Sequence, residues 1–177
     1  NRTNLSFEKI DAYAFSEGPG SYTGLRIGAA AIKGFAFCFE KPVILISTLS
    51  SLAYSHKEKG TLLCPLVDSR RGEVYLALYD SNMKTLIAPH SHVISKKSLF
   101  EFLENNKISF FGTGYDKLKQ VISHPNAYFI KNIFPSSKYL TELAHFKYHQ
   151  KDFVDISNFE PLYLKEFIPT QQKKNII

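Results

Sequence analysis

The sequence contains only two cysteines, Cys38 and Cys64, and each lies within an apolar segment. Two cysteines are too few for the disulfide framework of a small secreted domain, so we expect two buried, reduced thiols in a cytoplasmic protein. The sequence also lacks an apolar run long enough for a membrane-spanning helix, and its first residues do not resemble a signal peptide. These absences predict a protein that does not enter a membrane.

Dense charge is missing as well. The net charge is +6 over 177 residues, but the lysines that produce it are scattered along the chain and form no basic block. A solvated surface explains such a distribution, and contact with nucleic acid stays open as the alternative. Internal repeats and low-complexity tracts are absent. The 15 phenylalanines and 10 tyrosines predict cores or interfaces rich in aromatic rings.

Strand and helix patterns alternate along the chain. The first part predicts a strand over residues 10–16, a helix over 21–39 capped by Ser21 or Thr23, and a second, parallel strand over 42–47. Another helix, capped by Ser47 or Thr48, should end near Gly60. Strands are then predicted over 62–67, 73–79, 84–94 and 108–111, with Pro89 at an edge or bulge, and a further helix over 137–148.

This order of elements predicts an α/β protein with two lobes. The first lobe comprises residues 1–59, the second comprises 60–168, and a polar tail follows at 169–177. A first lobe with only two strands is marginal in size. We therefore expect the first lobe to be incomplete in this chain.

The most informative stretch is GPGSYTGLRIG, which begins at Gly18. Gly18, Pro19 and Gly20 predict a tight turn immediately before a helix. A glycine-rich loop at a helix N-terminus can hold a phosphate group. However, no Gly-Lys-Ser/Thr follows and the G-x-G-x-x-G spacing is missing, so we predict a structural turn.

The helix after this turn is apolar on nearly every side. Its only charged residues are Arg26 and Lys33, and a small lobe cannot cover all of its surface. Gly24 and Gly28 allow another backbone to approach closely, and the two cations can pair with acids of a partner. We predict a partner interface formed by Ser21, Tyr22, Gly24, Leu25, Arg26, Gly28, Ile32, Lys33 and Phe35.

Other combinations of polar residues are weaker candidates for chemistry. Histidine pairs occur at His145 and His149 and at His90 and His92, but no third metal ligand is obvious close by, so we expect solvated side chains. A second group lies at 68–73, where two carboxylates flank two arginines. We expect exposed ion pairs on a turn between two strands, formed by Asp68, Arg70, Arg71 and Glu73.

The stretch GPGSYTGLRIG resembles the signature of the TsaB (YeaZ) family. The resemblance continues in order through PVILISTLSSLA (42–53), DSRRGEVYLALY (68–79), FGTGY (111–115) and EPLYLKEF (160–167). It implies the two-lobed fold of the actin/Hsp70-like (ribonuclease H-like) ATPases. It also marks residues that belong to family motifs without a known role, namely Asp68, Arg70, Arg71, Gly72, Glu73, Tyr163, Leu164 and Lys165.

The resemblance implies a non-catalytic subunit. Its partner would be a paralogous TsaD-type transferase that adds threonylcarbamoyl to the adenosine beside the tRNA anticodon. ATP and metal are expected on that partner, and this chain alone is expected to bind no cofactor. Further implied partners are a TsaE-type ATPase, a second copy of the chain when it is alone, and tRNA through the complex only.

Two other functions remain as alternatives, a stand-alone tRNA- or nucleotide-binding module and the catalytic paralog itself. The paralog would need two histidines four residues apart on the helix after the second strand. That helix begins STLSSL and has no histidine before His56.

The sequence departs from the family in two places. Family members begin with a strand and an Asp-Thr-rich turn of a β-hairpin, which has no counterpart here. The usual Tyr-Leu-Arg motif reads Tyr163-Leu164-Lys165. Lysine keeps the positive charge of arginine but cannot form a bidentate contact.

Overall fold

The structure is a computed structural model that describes residues 5–58, 60–70 and 72–165. The predicted tail at 169–177 and the last two residues of the EPLYLKEF block lie outside the described residues. Arg71 also lies outside them.

The first sheet has two parallel strands, β1 (Tyr13–Gly18) and β2 (Val43–Ser47), joined by the crossover helix α1 (Tyr22–Phe39). All three elements were predicted. Ser21 caps α1, since its hydroxyl accepts a hydrogen bond from the Gly24 N–H at 3.3 Å. The helix ends at Phe39, and the next residue, Glu40, caps it in a left-handed conformation two residues before Pro42.

Helix α2 (Thr48–Ser55) joins the first sheet to the second. Ser47 caps it by accepting from the Ser50 N–H. The prediction placed the end of this helix near Gly60, but the helix ends at Ser55. Its apolar pattern stops there because a polar stretch begins at His56. Its apolar side is fully buried against the second sheet, with Leu49 and Leu52 in one core cluster with Phe111.

The second sheet has five strands in the order β5-β4-β3-β6-β7. Its strands are β3 (Leu62–Asp68), β4 (Glu73–Tyr79), β5 (Thr85–Val93), β6 (Ile108–Gly112) and β7 (Ala127–Phe129). The predicted hairpin is the antiparallel pair β3 and β4. Pro89 lies on the edge strand β5, where the register with β4 shifts, as predicted. Strand β7 was not predicted, because three residues are too few for a recognisable period.

The second sheet is covered on both faces. Leu66, Leu76 and Phe110 pack on one face with the helices α3 (Phe100–Asn105) and α4 (Tyr115–Lys119), while α2 packs on the other. This arrangement agrees with the sequence of β4, which is apolar or aromatic at every position from 74 to 79, as a strand buried on both faces requires.

The chain returns to the first sheet near its end. The predicted helix at 137–148 is a 3-10 turn, Ser137–Leu140, followed by α5 (Thr141–His149). After α5, the Val154 N–H donates to the Val43 carbonyl at 3.0 Å, and Phe159 joins the core of the first sheet beside Phe15. Residues from both ends of the sequence therefore build the first sheet, and the lobe boundary at 59/60 stays a prediction.

The two cysteines have different environments. Cys64 is fully buried in β3, and burial raises the pKa of its thiol. Cys38 is exposed on α1, so the expectation that both thiols are buried is wrong for Cys38. Among the described residues, none of the helices is both long enough and apolar enough to span a membrane.

Candidate partner-binding surface

The inward side of α1 packs on its own sheet. A Cβ atom added to Gly28 would lie 2.8 Å from the Phe15 ring, so this glycine lets the helix approach β1 closely. Leu25 and Ile32 pack against the same core, and Ala36 is completely buried. The prediction that Leu25, Gly28 and Ile32 face a partner is therefore wrong, because the first sheet occupies that side of the helix.

The opposite side of α1 is apolar and exposed. Ile27 is 65% exposed and Phe37 is 79% exposed. Between them the helix carries small residues, and a Cβ added to Gly34 would meet no atom within 4 Å. Spacings of three and four residues place all of them on one side. We call this surface the outward face of α1; it consists of Ile27, Ala30, Ala31, Gly34, Phe37 and Cys38.

An aromatic cluster borders the outward face. Phe35 is 40% exposed, and its ring stacks on Phe7 at 5.3 Å and lies 6.0 Å from the Tyr13 ring. Phe7 also stacks on Phe39 at 5.3 Å. Phe35 is thus partly covered by its own chain.

The two cations of α1 contact their own chain. The Arg26 Nε donates to the Tyr163 hydroxyl at 3.3 Å, and the guanidinium lies 4.6 Å from the centre of the Tyr22 ring. The Lys33 ammonium lies 4.7 Å from the centre of the Phe159 ring. Both cations therefore contact aromatic rings of their own chain, and their predicted pairing with acids of a partner stays a prediction.

The Gly-Pro-Gly turn packs against the C-terminal segment. Gly18 has a φ of +123°, a conformation that favours glycine. A Cβ at this position would lie 3.0 Å from the Leu162 carbonyl oxygen. The Leu162 N–H donates to the Glu17 carbonyl at 2.7 Å. Pro19 and Gly20 follow and line a shallow groove beside Tyr22.

The carboxylates that flank the turn between β3 and β4 pair with lysines. Asp68 pairs with Lys117 of α4, and Glu73 pairs with Lys165 near the C-terminus. Arg70 is exposed and has no ion pair among the described residues. The prediction that these carboxylates pair with the adjacent arginines is wrong for Arg70, because lysines from distant parts of the chain neutralise them.

Three separate motifs meet at the groove. The Tyr163 ring lies 5.2 Å from the Tyr22 ring, and the Lys165 ammonium lies 5.9 Å from the centre of the Tyr75 ring. The groove thus brings together the Gly-Pro-Gly turn, the β3–β4 hairpin and the Tyr-Leu-Lys motif. Its lining residues are Pro19, Gly20, Tyr22, Leu25, Tyr75, Leu162, Tyr163, Leu164 and Lys165.

The histidine pairs have two different environments. His145 and His149 are exposed, and their Nε2 atoms lie 3.0 Å apart. His92 is only partly exposed, and its Nε2 lies 2.8 Å from the Ser98 Oγ. Burial lowers the pKa of His92, so the expected solvated side chain is wrong there. Within residues 5–58, 60–70 and 72–165, no three histidine, cysteine or acidic side chains come together to hold a metal ion.

Comparison with known proteins identifies the family. The family model described as TsaD, tRNA N6-adenosine threonylcarbamoyltransferase, matches residues 1–154. The chain is 29% identical over 174 residues to the tRNA threonylcarbamoyladenosine biosynthesis protein TsaB of Haemophilus influenzae, covering 92% of this chain and 73% of that protein. It is 30% identical over 175 residues to TsaB of Buchnera aphidicola subsp. Baizongia pistaciae, with coverage of 93% and 77%. The chain belongs to the TsaB family.

A solved structure agrees with the fold. YeaZ from Pseudomonas aeruginosa superposes with a TM-score of 0.75 at 24% identity, covering 92% of this chain and 78% of that one. The predicted TsaB (YeaZ) family and the predicted α/β, actin/Hsp70-like fold class are therefore confirmed.

The TsaB signature is divided between the two sides of α1. Leu25 and Gly28 face the sheet, whereas Gly24 is exposed, with only Ser21 near the position of an added Cβ. The outward face contains none of the residues predicted for the interface. The sequence period of α1 separates two apolar sides, but it does not say which of them meets the sheet.

Proposed function

We propose that this TsaB-family chain acts in the formation of threonylcarbamoyladenosine in tRNA as a subunit that does not itself carry out the transfer. In this proposal it binds a TsaD-type catalytic paralog through the outward face of α1. The observation that carries the proposal is the exposure of Ile27 and Phe37 beside the small residues Ala31 and Gly34. Large apolar side chains next to small residues suit close packing against another helix.

The choice of partner rests on homology. The family model that matches residues 1–154 is the TsaD model, so a TsaD-type protein is built on a related chain. Two related subunits can join equivalent surfaces about an approximate two-fold axis, as two identical subunits do in an isologous dimer. A second copy of this chain is the competing occupant of the same face.

The non-catalytic role is supported by the position of α2. In the catalytic paralog, the helix equivalent to α2 would need to carry the two metal-binding histidines. Here Leu49 and Leu52 of α2 are fully buried against the second sheet. His56 follows the helix and packs edge-on against Phe111 with 5.1 Å between ring centres. We propose that ATP and metal bind to the partner, and that tRNA is reached through the complex.

The proposal is tested by replacing Ile27 with Asp and measuring affinity for the TsaD-type paralog by sedimentation velocity. A charge buried in an apolar interface should weaken binding by about a hundredfold or more. Val93→Asp is the matched control, because Val93 is 68% exposed on the edge strand β5 and should bind like the parent chain.

Binding of Ile27→Asp at the parent affinity would place the interface elsewhere. The pure chain should also form no threonylcarbamoyladenosine and hydrolyse no ATP without the paralog. Turnover by the pure chain that is lost on mutating one of its own residues would overturn the non-catalytic role.

A further inference from the structure

Residues 162–165 connect the two sheets. At one end, the Leu162 N–H donates to the carbonyl of Glu17 at the end of β1, at 2.7 Å. At the other end, Lys165 pairs with Glu73 at the start of β4, and its ammonium lies 3.4 Å from the Ser69 hydroxyl. Four consecutive residues thus hold a strand of the first sheet and the turn of the second.

Tyr163 connects the same segment to α1. Its hydroxyl accepts from the Arg26 Nε at 3.3 Å, and its ring lies 5.2 Å from the Tyr22 ring. Arg26 also lies over Tyr22. Both α1 residues belong to the first turns of the helix, so Tyr163 holds the N-terminal end of α1.

The Lys165–Glu73 ion pair is partly shielded from solvent. The two side chains are 35% and 26% exposed, and salt screens such partly buried pairs less than exposed ones. The Ser91 hydroxyl also donates to the Glu73 carboxylate at 3.2 Å. Ser91 on β5 and Lys165 thus both contact the Oε2 atom of Glu73, and together they hold the carboxylate in place.

We propose that residues 162–165 form a clasp that sets the orientation of α1 relative to the β3–β4 turn, with Tyr163 and Lys165 as positioning residues. A two-stranded sheet alone is only marginally stable. The direction in which the outward face points therefore depends on contacts with the second sheet. The clasp prepares that face for its partner by removing alternative orientations before binding. This effect on binding rests on the proposed function, whereas the effect on orientation does not.

The orientation is measured by the distance between two spin labels in the free full chain. One label is placed on Cys38, which is exposed on α1, and the other on Arg70→Cys in the β3–β4 turn. Cys64 is buried and stays unlabelled. The doubly labelled chain is diluted into unlabelled chain, so that each measured distance lies within one molecule.

The parent chain should give one narrow distance distribution. Lys165→Glu places two like charges together and should broaden or shift the distribution, and Lys165→Glu with Glu73→Lys should restore it. Lys97→Glu makes the same charge change at an exposed residue outside the clasp and should have no effect. An unchanged distribution in Lys165→Glu, or no recovery in the double variant, would overturn the clasp.

Affinity for the paralog separates this proposal from the proposed function. Lys165→Glu should weaken binding about tenfold, and the charge swap should recover most of that loss. Ile27→Asp should weaken binding about a hundredfold or more and leave the label distance unchanged. If Ile27→Asp binds normally, the proposed interface is wrong, but the distances between the spin labels still test the clasp. If Lys165→Glu alters the distance but not the affinity, the clasp does not prepare the interface and that part is wrong.

Discussion

Gly28 and Gly34 belong to the same helix but have opposite surroundings. A Cβ on Gly28 would meet the Phe15 ring at 2.8 Å, while a Cβ on Gly34 would meet nothing within 4 Å. Glycine lowers helix stability by about 1 kcal/mol relative to alanine. The same substitution should therefore have opposite effects at the two positions.

We predict that Gly34→Ala raises the free energy of unfolding by about 0.5–1 kcal/mol, and that Gly28→Ala lowers it because the helix must move away from β1. Urea unfolding of the two variants and the parent tests this difference. A destabilised Gly34→Ala together with a stabilised Gly28→Ala would mean that the two sides of α1 are assigned the wrong way round.

Glu17 provides a prediction on pH dependence. Burial raises the pKa of its carboxyl above the ordinary 4.5, and Lys147 opposes that shift only partly. A raised folded-state pKa means that the contribution of Glu17 to stability is complete below the ordinary pKa and is lost as the pH rises through the folded-state value. At neutral pH the buried charge is therefore a cost.

We predict that Glu17→Gln is more stable than the parent at about pH 7, and that the difference shrinks as the pH falls toward about 4. Urea unfolding of both proteins across this range measures the effect. A difference that grows on acidification would show that Glu17 is stabilised as a carboxylate.

At the scale of elements, the β3–β4 turn shows what local sequence can predict. Its position follows from the strand patterns on either side, and Gly72 has a φ of +75°, which explains the glycine. The partners of its carboxylates, Lys117 and Lys165, lie far along the chain. Local sequence does not indicate contacts between such distant residues, so the expected pairing with Arg70 was wrong.

We predict that Arg70→Ala changes the free energy of unfolding by no more than about 0.5 kcal/mol, because Arg70 is exposed. Gly72→Ala should cost about 1–2 kcal/mol, since alanine disfavours this backbone conformation. Thermal unfolding of both variants is the measurement. A large loss in Arg70→Ala would reveal a structural contact of that arginine.

Helix α1 shows the same division between local and distant information. Its start at Tyr22 follows from the cap at Ser21, and its end precedes Pro42. Which side is buried depends on Phe15 and Phe159, which come from separate parts of the sequence. The existence and the bounds of α1 were therefore predictable, but its exposed residues were not.

At the scale of the whole molecule, the segment at 150–165 contacts both sheets and so connects them. Phe159 completes the core of the first sheet, and Lys165 reaches the turn of the second. This return was not predictable from pattern, because residues 150–165 contain no regular helix or strand. The family motif Tyr163-Leu164-Lys165 marked the segment as important without indicating its contacts.

The central claim, that the outward face of α1 binds the TsaD-type paralog, is tested most directly by alkylation of Cys38. Cys38 lies on that face and is exposed, whereas Cys64 is buried, so a maleimide reagent reports on one site without any mutation. We predict that a saturating amount of the paralog slows modification of Cys38 about tenfold or more, as burial in an interface would. An unchanged alkylation rate in the fully formed complex would contradict the claim.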